Sequence, residues 1–170
     1  MSENGQVQVL IGMLKQAGQT LHGTMQGVES DVAHHVPGGT AVTIAANAAH
    51  AITGMDGIIL GLVQGRAPVM MSEPTGLSTP PPMGGDWGDW GQTVEIDMPV
   101  FEAYAGKVME ATEKYLSTLT NDDLQQMKTS PTGNEMSAAR WIGIAVLNTA
   151  WHTGEIAALK GTHGLKGYPF

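Results

Sequence analysis

The chain has 170 residues and a hydrophobic content of 42%, enough for one domain with a substantial core. Its 16 acidic and 8 basic residues give a formal charge of −8, and the basic residues are too scattered to neutralise phosphates, which argues against nucleic acid and anionic membrane surfaces as partners. The absence of cysteine excludes disulfides, zinc knuckles and thiol nucleophiles.

The N-terminal sequence MSENGQVQVL lacks the basic and apolar regions of a signal peptide, and no run of about 18 apolar residues predicts a membrane span. We therefore expect a soluble, cytoplasmic protein. Nothing in the composition marks a boundary between two domains, so residues 1–170 are predicted to form one domain.

The first predicted helix runs from about Asn4 to Glu29. Its apolar residues recur at steps of three and four, as one stripe of an α-helix requires. They are Leu10, Leu14, Ala17, Leu21, Met25 and Val28. The motif HHVPGG then interrupts the pattern, because Pro37 is poorly tolerated inside a helix, and Thr40 is the predicted cap of the next helix.

The second predicted helix spans about Thr40 to Gln64 and is rich in alanine and glycine, which permit close helix contacts. Gly65 is expected to end it. The following 32 residues, Gly65 to Ile96, include 11 prolines or glycines and show no helical period. So long a loop in a compact domain indicates a functional role.

The third predicted helix begins after Asp97 as its N-cap and runs to about Leu119. A polar connection, LTNDDLQQM, holds one short turn. The fourth predicted helix is capped near Ser137 and runs to Gly161. Its predicted inward stripe consists of Trp141, Ile144, Ala145, Asn148, His152, Glu155 and Leu159. These patterns predict an all-α fold, a four-helix bundle with a long crossover loop between helices 2 and 3 and no sheet.

Two histidines occupy the central levels of predicted helices 2 and 4. If these helices face each other, the imidazoles of His50 and His152 meet, and helix bundles often build metal sites from such inward side chains. Asn148 lies one turn before His152, but an amide oxygen is a weak ligand for zinc or nickel. From the residues alone, a pair of hydrogen-bonded core histidines ranks above a metal site.

Two motifs resemble those of the DinB/YfiT-like superfamily, also called the S-transferase-like superfamily. They are VPGGTAVTIAANAAHAITGMD around His50 and NTAWHTGEIAALKG around His152. The resemblance implies a four-helix bundle in which one histidine of helix 2 and two histidines of helix 4, four residues apart, hold a divalent metal. His50 and His152 match two of these ligands, and Asn148 stands in place of the third.

The other histidines are predicted to be solvated or in loops; they are His22, His34, His35 and His163. Glu155 could carry a proton or orient a ligand, although a buried hydrogen bond between helices ranks higher. Trp87 and Trp90 could wall a substrate pocket, or they could pin the crossover loop to the core. Trp141 and Trp151 are predicted to be core or interface residues.

Two functions follow from the resemblance. The first is a metal-dependent thiol S-transferase or hydrolase acting on a small molecule, with zinc or nickel as the metal. Because the chain lacks cysteine, the thiol would be a low-molecular-weight cofactor such as mycothiol, bacillithiol or glutathione. The second is a non-catalytic small-molecule-binding or stress-response module that has lost its metal. The apolar surface around Trp151 and the Gly/Ala-rich second helix further predict a two-fold homodimer.

Overall fold

The predicted all-α bundle is confirmed by a computed structural model that describes residues 4–82 and 87–170. The four bundle helices are α1 (Gly5–Met25), α3 (Ile44–Met55), α5 (Met98–Leu116) and α6 (Ala138–Thr162). Two short helices lie between them in the chain: α2 (Ser30–His34) precedes α3, and α4 (Trp90–Thr93) precedes α5. Single 3₁₀ turns occur at Val69–Met71 and Asp123–Gln125, and a two-stranded hairpin pairs β1 (Met127–Thr129) with β2 (Glu135–Ser137).

Helix α3 lies at the centre of the bundle, where it packs against α6, and α6 also packs along α1. Ten of its twelve residues are buried, and its alanines allow the neighbouring helices to approach closely. Beyond Met55 the helix continues in π geometry over Asp56–Val63. Within the part of the chain that is described, Ile44–Val63 is the one segment long and apolar enough to cross a membrane. Its most apolar window is 67% buried inside the bundle, as expected of a core helix.

Side-chain caps fix where the later helices begin. The carboxylate of Asp97 accepts a hydrogen bond from the Val100 amide, and the hydroxyl of Ser137 accepts one from the Arg140 amide, as predicted. The cap of α3 was predicted wrongly. Thr43, not Thr40, accepts the bond from the Ala46 amide at 3.0 Å.

The crossover after α3 is anchored by a buried carboxylate. Asp56 is fully buried and accepts hydrogen bonds from the amides of Val69 and Met70 at 2.8 and 2.9 Å. The hydroxyl of Tyr104 on α5 donates a third, at 2.8 Å. Burial, reinforced by the Asp56 carboxylate, raises the pKa of the Tyr104 phenol. Residues 83–86 of the predicted loop lie outside the described residues.

Two local predictions were wrong. Helix α1 ends at Met25 instead of Glu29, because the chain turns at Gly27, whose φ of 73° suits glycine, and the short α2 then begins. The hairpin β1–β2 was not predicted, since three-residue strands are too short to show an alternating pattern. Its role is local: the indole of Trp141 at the start of α6 donates to the Lys128 carbonyl in β1 at 2.9 Å.

The buried face of α6 is also wider than predicted, because this helix packs against α1 and α3 on two sides. Thr149 and Thr153, outside the predicted stripe, are buried. Trp151 is 63% exposed and is therefore not a core residue. The Glu155 side chain is 57% exposed and bonds to His152 on its own helix, so it makes no buried bond between helices.

Candidate functional site

The imidazoles of His50 on α3 and His152 on α6 lie side by side. Their ring centroids are 4.9 Å apart, and the ring planes meet at 77°. The contact is possible because α3 and α6 approach closely at Gly54, where an added Cβ would lie 2.9 Å from the Asn148 amide nitrogen. The structure thus brings together the three residues that the motifs singled out.

Hydrogen bonds hold the His152 ring in one orientation. Its Nδ1 lies 2.9 Å from Oδ1 of Asn47 and 2.6 Å from Oε2 of Glu155. The Asn47 amide group donates to the Thr43 carbonyl, so its oxygen is the atom that faces His152. Because both neighbours of Nδ1 are acceptors, Nδ1 carries a proton and the lone pair of the neutral ring is on Nε2.

His50 is held in its neutral form. The pKa of its imidazole is lowered to about 4, mainly by burial and in part by the neighbouring His152. A hydrogen bond to the side-chain oxygen of Asn148 acts in the opposite direction and does not offset the burial. At neutral pH this ring is therefore uncharged and keeps a lone pair available for a proton, a ligand or a metal.

Asn148 is only partly satisfied at this site. Its Nδ2 is buried without a hydrogen-bond partner among the described residues, and it faces the gap left by Gly54. The bond to His50 is consequently made by the amide oxygen. An orphaned donor in this position suits an acceptor group on a ligand better than it suits a cation.

Trp87 lies against both imidazoles. Its ring centroid is 4.4 Å from that of His50 and 5.2 Å from that of His152, with interplanar angles of 38° and 40°. Trp90 contacts Trp87 edge-on at 5.6 Å, and its indole nitrogen donates to the Thr79 carbonyl. Trp87 therefore covers the site, whereas Trp90 fastens the crossover segment.

The donor set does not fit the three-ligand metal centre that the resemblance implies. Zinc enzymes hold their metal with three protein ligands, usually nitrogen, carboxylate oxygen or sulfur. Here the third residue beside the two imidazoles is the amide Asn148, and the Glu155 carboxylate is hydrogen-bonded to Nδ1 of His152. No group of three or more histidine, cysteine, aspartate or glutamate side chains is placed to hold a metal in residues 4–82 and 87–170.

The other histidines differ from one another. His22 is solvated as predicted, with its side chain 62% exposed. His34 is not solvated: its Nδ1 lies 2.6 Å from the Ser30 carbonyl, and its Nε2 accepts from the Ile96 amide at 2.9 Å. It therefore joins α2 to the end of the crossover.

Two polar residues of structural importance were missed by the sequence analysis, Asn47 and Asp56. Asn47 stands three residues before His50, a spacing that places both on one helix face, and this spacing could have identified it. Asp56 carried no comparable pattern, because its partners lie 13, 14 and 48 residues away.

Sequence comparison identifies the family. The sequence model of the DinB superfamily matches residues 13–156, which include α3, α5 and both site histidines. The chain belongs to the DinB superfamily. No curated protein matches this DinB-superfamily chain significantly.

Solved structures share the fold of this DinB-superfamily chain at low sequence identity. A conserved protein from Enterococcus faecalis has a TM-score of 0.75 at 15% identity, over 90% of this chain and 94% of its own. A DinB-like protein from Bacillus cereus has a TM-score of 0.61 at 17% identity, over 98% and 97%. YfiT from Bacillus subtilis, described as a probable metal-dependent hydrolase with an unusual four-helix bundle topology, has a TM-score of 0.55 at 18% identity, over 95% and 87%.

Proposed function

We propose that this DinB-superfamily chain binds a small molecule at the His50–His152 site without a three-ligand metal. The observation that supports the proposal most directly is the Trp87 ring packed against both imidazoles. A ligand that displaces this ring meets the two imidazoles and the orphaned amide of Asn148. This is the non-catalytic binding or stress-response module.

A second function, metal-dependent hydrolysis or thiol S-transfer, is favoured by two observations. A metal-bound histidine is usually oriented by a hydrogen bond from its other ring nitrogen, and Nδ1 of His152 makes such a bond to Glu155. His50 is neutral, which is the protonation state that a metal ligand needs. The likeness to YfiT supports the same chemistry. A zinc or nickel ion held by two imidazoles would supply Lewis acidity, and a low-molecular-weight thiol would be the co-substrate.

Metal titration separates the two functions. In the first, zinc binding of the wild-type chain is unchanged by the double substitution His50→Ala and His152→Ala. In the second, isothermal titration calorimetry shows a zinc site that this double variant loses. Ligand-observed NMR with a library of small molecules is the companion measurement. Binding that the double variant weakens, and that Trp87→Ala strengthens by removing the ring that the ligand displaces, supports the first function.

Asn148→His provides the sharpest form of this test. The substitution places a second imidazole one helical turn from His152 and completes a three-nitrogen set, so zinc affinity should rise at least about tenfold above wild type. Asn148→Gln, which adds bulk without an imidazole, is the matched control and should show no gain. A folded Asn148→His variant that binds zinc no better than wild type would show that His50 and His152 are not aligned as ligands.

The charge and surface of the chain support the remaining parts of the proposal. A formal charge of −8 favours a small molecule over nucleic acid or an anionic membrane as the partner of this chain. The cytoplasm is the proposed compartment. The exposed apolar side chains of Val9, Met13, Leu147 and Trp151 lie on α1 and α6. We infer that these helices form a two-fold homodimer interface.

A further inference from the structure

A second pair of histidines lies in contact at the C-terminal end of α6. His35 follows α2, and His163 is the C-cap residue directly after α6. Their ring centroids are 4.7 Å apart, and the rings meet edge-on at 84°. His163 is eleven residues beyond His152, about 16 Å along a helix, so this pair is separate from the His50–His152 site.

The surroundings of the pair favour a cation. His163 stands at the C-terminal end of the 25-residue α6, where the helix dipole places partial negative charge. The nearest lysines of the tail are directed elsewhere: Lys160 donates to the carbonyls of Thr24 and Gln26, and Lys166 donates to the Pro169 carbonyl. The formal charge of −8 adds a favourable long-range field.

We propose that His35 and His163 form a surface site for a borderline divalent cation of the zinc class, with water completing the coordination shell. Two imidazole nitrogens at about 2.0–2.1 Å from a tetrahedral ion lie about 3.3 Å apart. The ring centroids are 4.7 Å apart, so the proposal requires that rotation about the side-chain torsions brings one nitrogen of each ring to that separation. Both residues are exposed, so water has access to the remaining positions.

The bound ion would clamp two distant parts of the chain. His35 belongs to the connection between α2 and α3, and His163 is the C-cap of α6. The ion would therefore link two segments that are 128 residues apart in the sequence. Binding to the folded state alone raises the melting temperature through mass action. This stabilisation depends on the His35–His163 pair and is independent of what the His50–His152 site does.

The test uses zinc as the probe and removes the other site. In the His50→Ala and His152→Ala background, calorimetry should show one zinc ion bound per chain. Adding His35→Ala or His163→Ala should weaken that binding at least about tenfold, since loss of an outer-shell partner alone costs about 10–100-fold. His22→Ala, which removes a solvated histidine outside the pair, should leave it unchanged.

A second measurement avoids any dependence on the folding of the variants. In wild-type protein, the NMR signals of the His35 and His163 rings should shift on addition of zinc. Zinc binding that survives both His35→Ala and His163→Ala, or ring signals of the pair that do not respond, would overturn the proposal. Neither outcome alters the test of the His50–His152 site.

Discussion

At the scale of single residues, His50 shows how burial sets protonation. A histidine in an unfolded chain has a pKa near 6.5, whereas burial beside His152 lowers that of His50 to about 4. Between about pH 4 and pH 6.5, His50 therefore binds a proton more readily in the unfolded chain than in the folded one. Above about pH 6.5 neither state is protonated at this residue, and it adds no pH dependence.

The first prediction follows from this difference. As the pH falls from about 6.5 to about 4, protonation of His50 should lower the free energy of unfolding. After allowance for the partial solvent exposure of this ring, the contribution of His50 is on the order of 1 kcal/mol. Urea unfolding at pH 7.0, 5.5 and 4.5 measures it. His50→Gln removes the titrating ring and should flatten this part of the profile, whereas His22→Gln should not. Identical profiles for wild type and His50→Gln would contradict the prediction.

At the scale of elements, the helices were predictable and the joints between them were not. Periodic apolar residues identified all four bundle helices, and local caps such as Asp97 and Ser137 located two of their starts. The convergence of His50, Asn148 and His152 was also predictable, from family motifs. Trp87 is different, because its position depends on the path of a crossover that has no period.

Asp56 explains why that path escapes sequence analysis. Its carboxylate accepts hydrogen bonds from Val69, Met70 and Tyr104, so the start of the crossover is set by contacts between distant parts of the chain. Local propensity carries no information about such partners. The same reason applies to the π-helical geometry of Asp56–Val63, which an apolar pattern does not distinguish from an α-helix.

The second prediction tests this anchor. Asp56→Ala leaves two partly buried amides and one buried phenol without their acceptor, and should lower the free energy of unfolding by about 3 kcal/mol. Tyr104→Phe removes one of the three bonds and should cost about 1–1.5 kcal/mol. Equilibrium urea unfolding measures both. The exposed Asp122→Ala is the control and should change the free energy by less than about 0.5 kcal/mol; an equally small effect of Asp56→Ala would refute the anchoring role.

At the scale of the whole molecule, α6 separates two different surfaces. On its α3 side lie His152 and the aromatic cover of the candidate site. On its α1 side lies an apolar cavity of about 660 Å³ lined by residues that include Val9, Met13 and Ala150. Association through the α1 side would leave the candidate site accessible in both protomers.

The third prediction concerns this assembly. Light scattering after size exclusion should give twice the 17.8 kDa mass of the chain at micromolar concentration. Trp151→Glu introduces a charge into the proposed interface and should yield monomer, because an unpaired charge is costly to bury. Glu155→Gln, one turn further along α6, is the control and should remain dimeric. A wild-type chain that is monomeric at high concentration would remove the proposed interface.

The packing of Trp87 against two imidazoles also gives the site its own optical probe. Indole emission is quenched by a nearby imidazolium more strongly than by neutral imidazole, and Trp87 contacts both His50 and His152. The fluorescence difference between wild type and Trp87→Phe therefore isolates one ring among the chain's four tryptophans. Protonation of His50, entry of a ligand and displacement of the cover each change the light emitted by this ring, so all three can be followed in unlabelled protein.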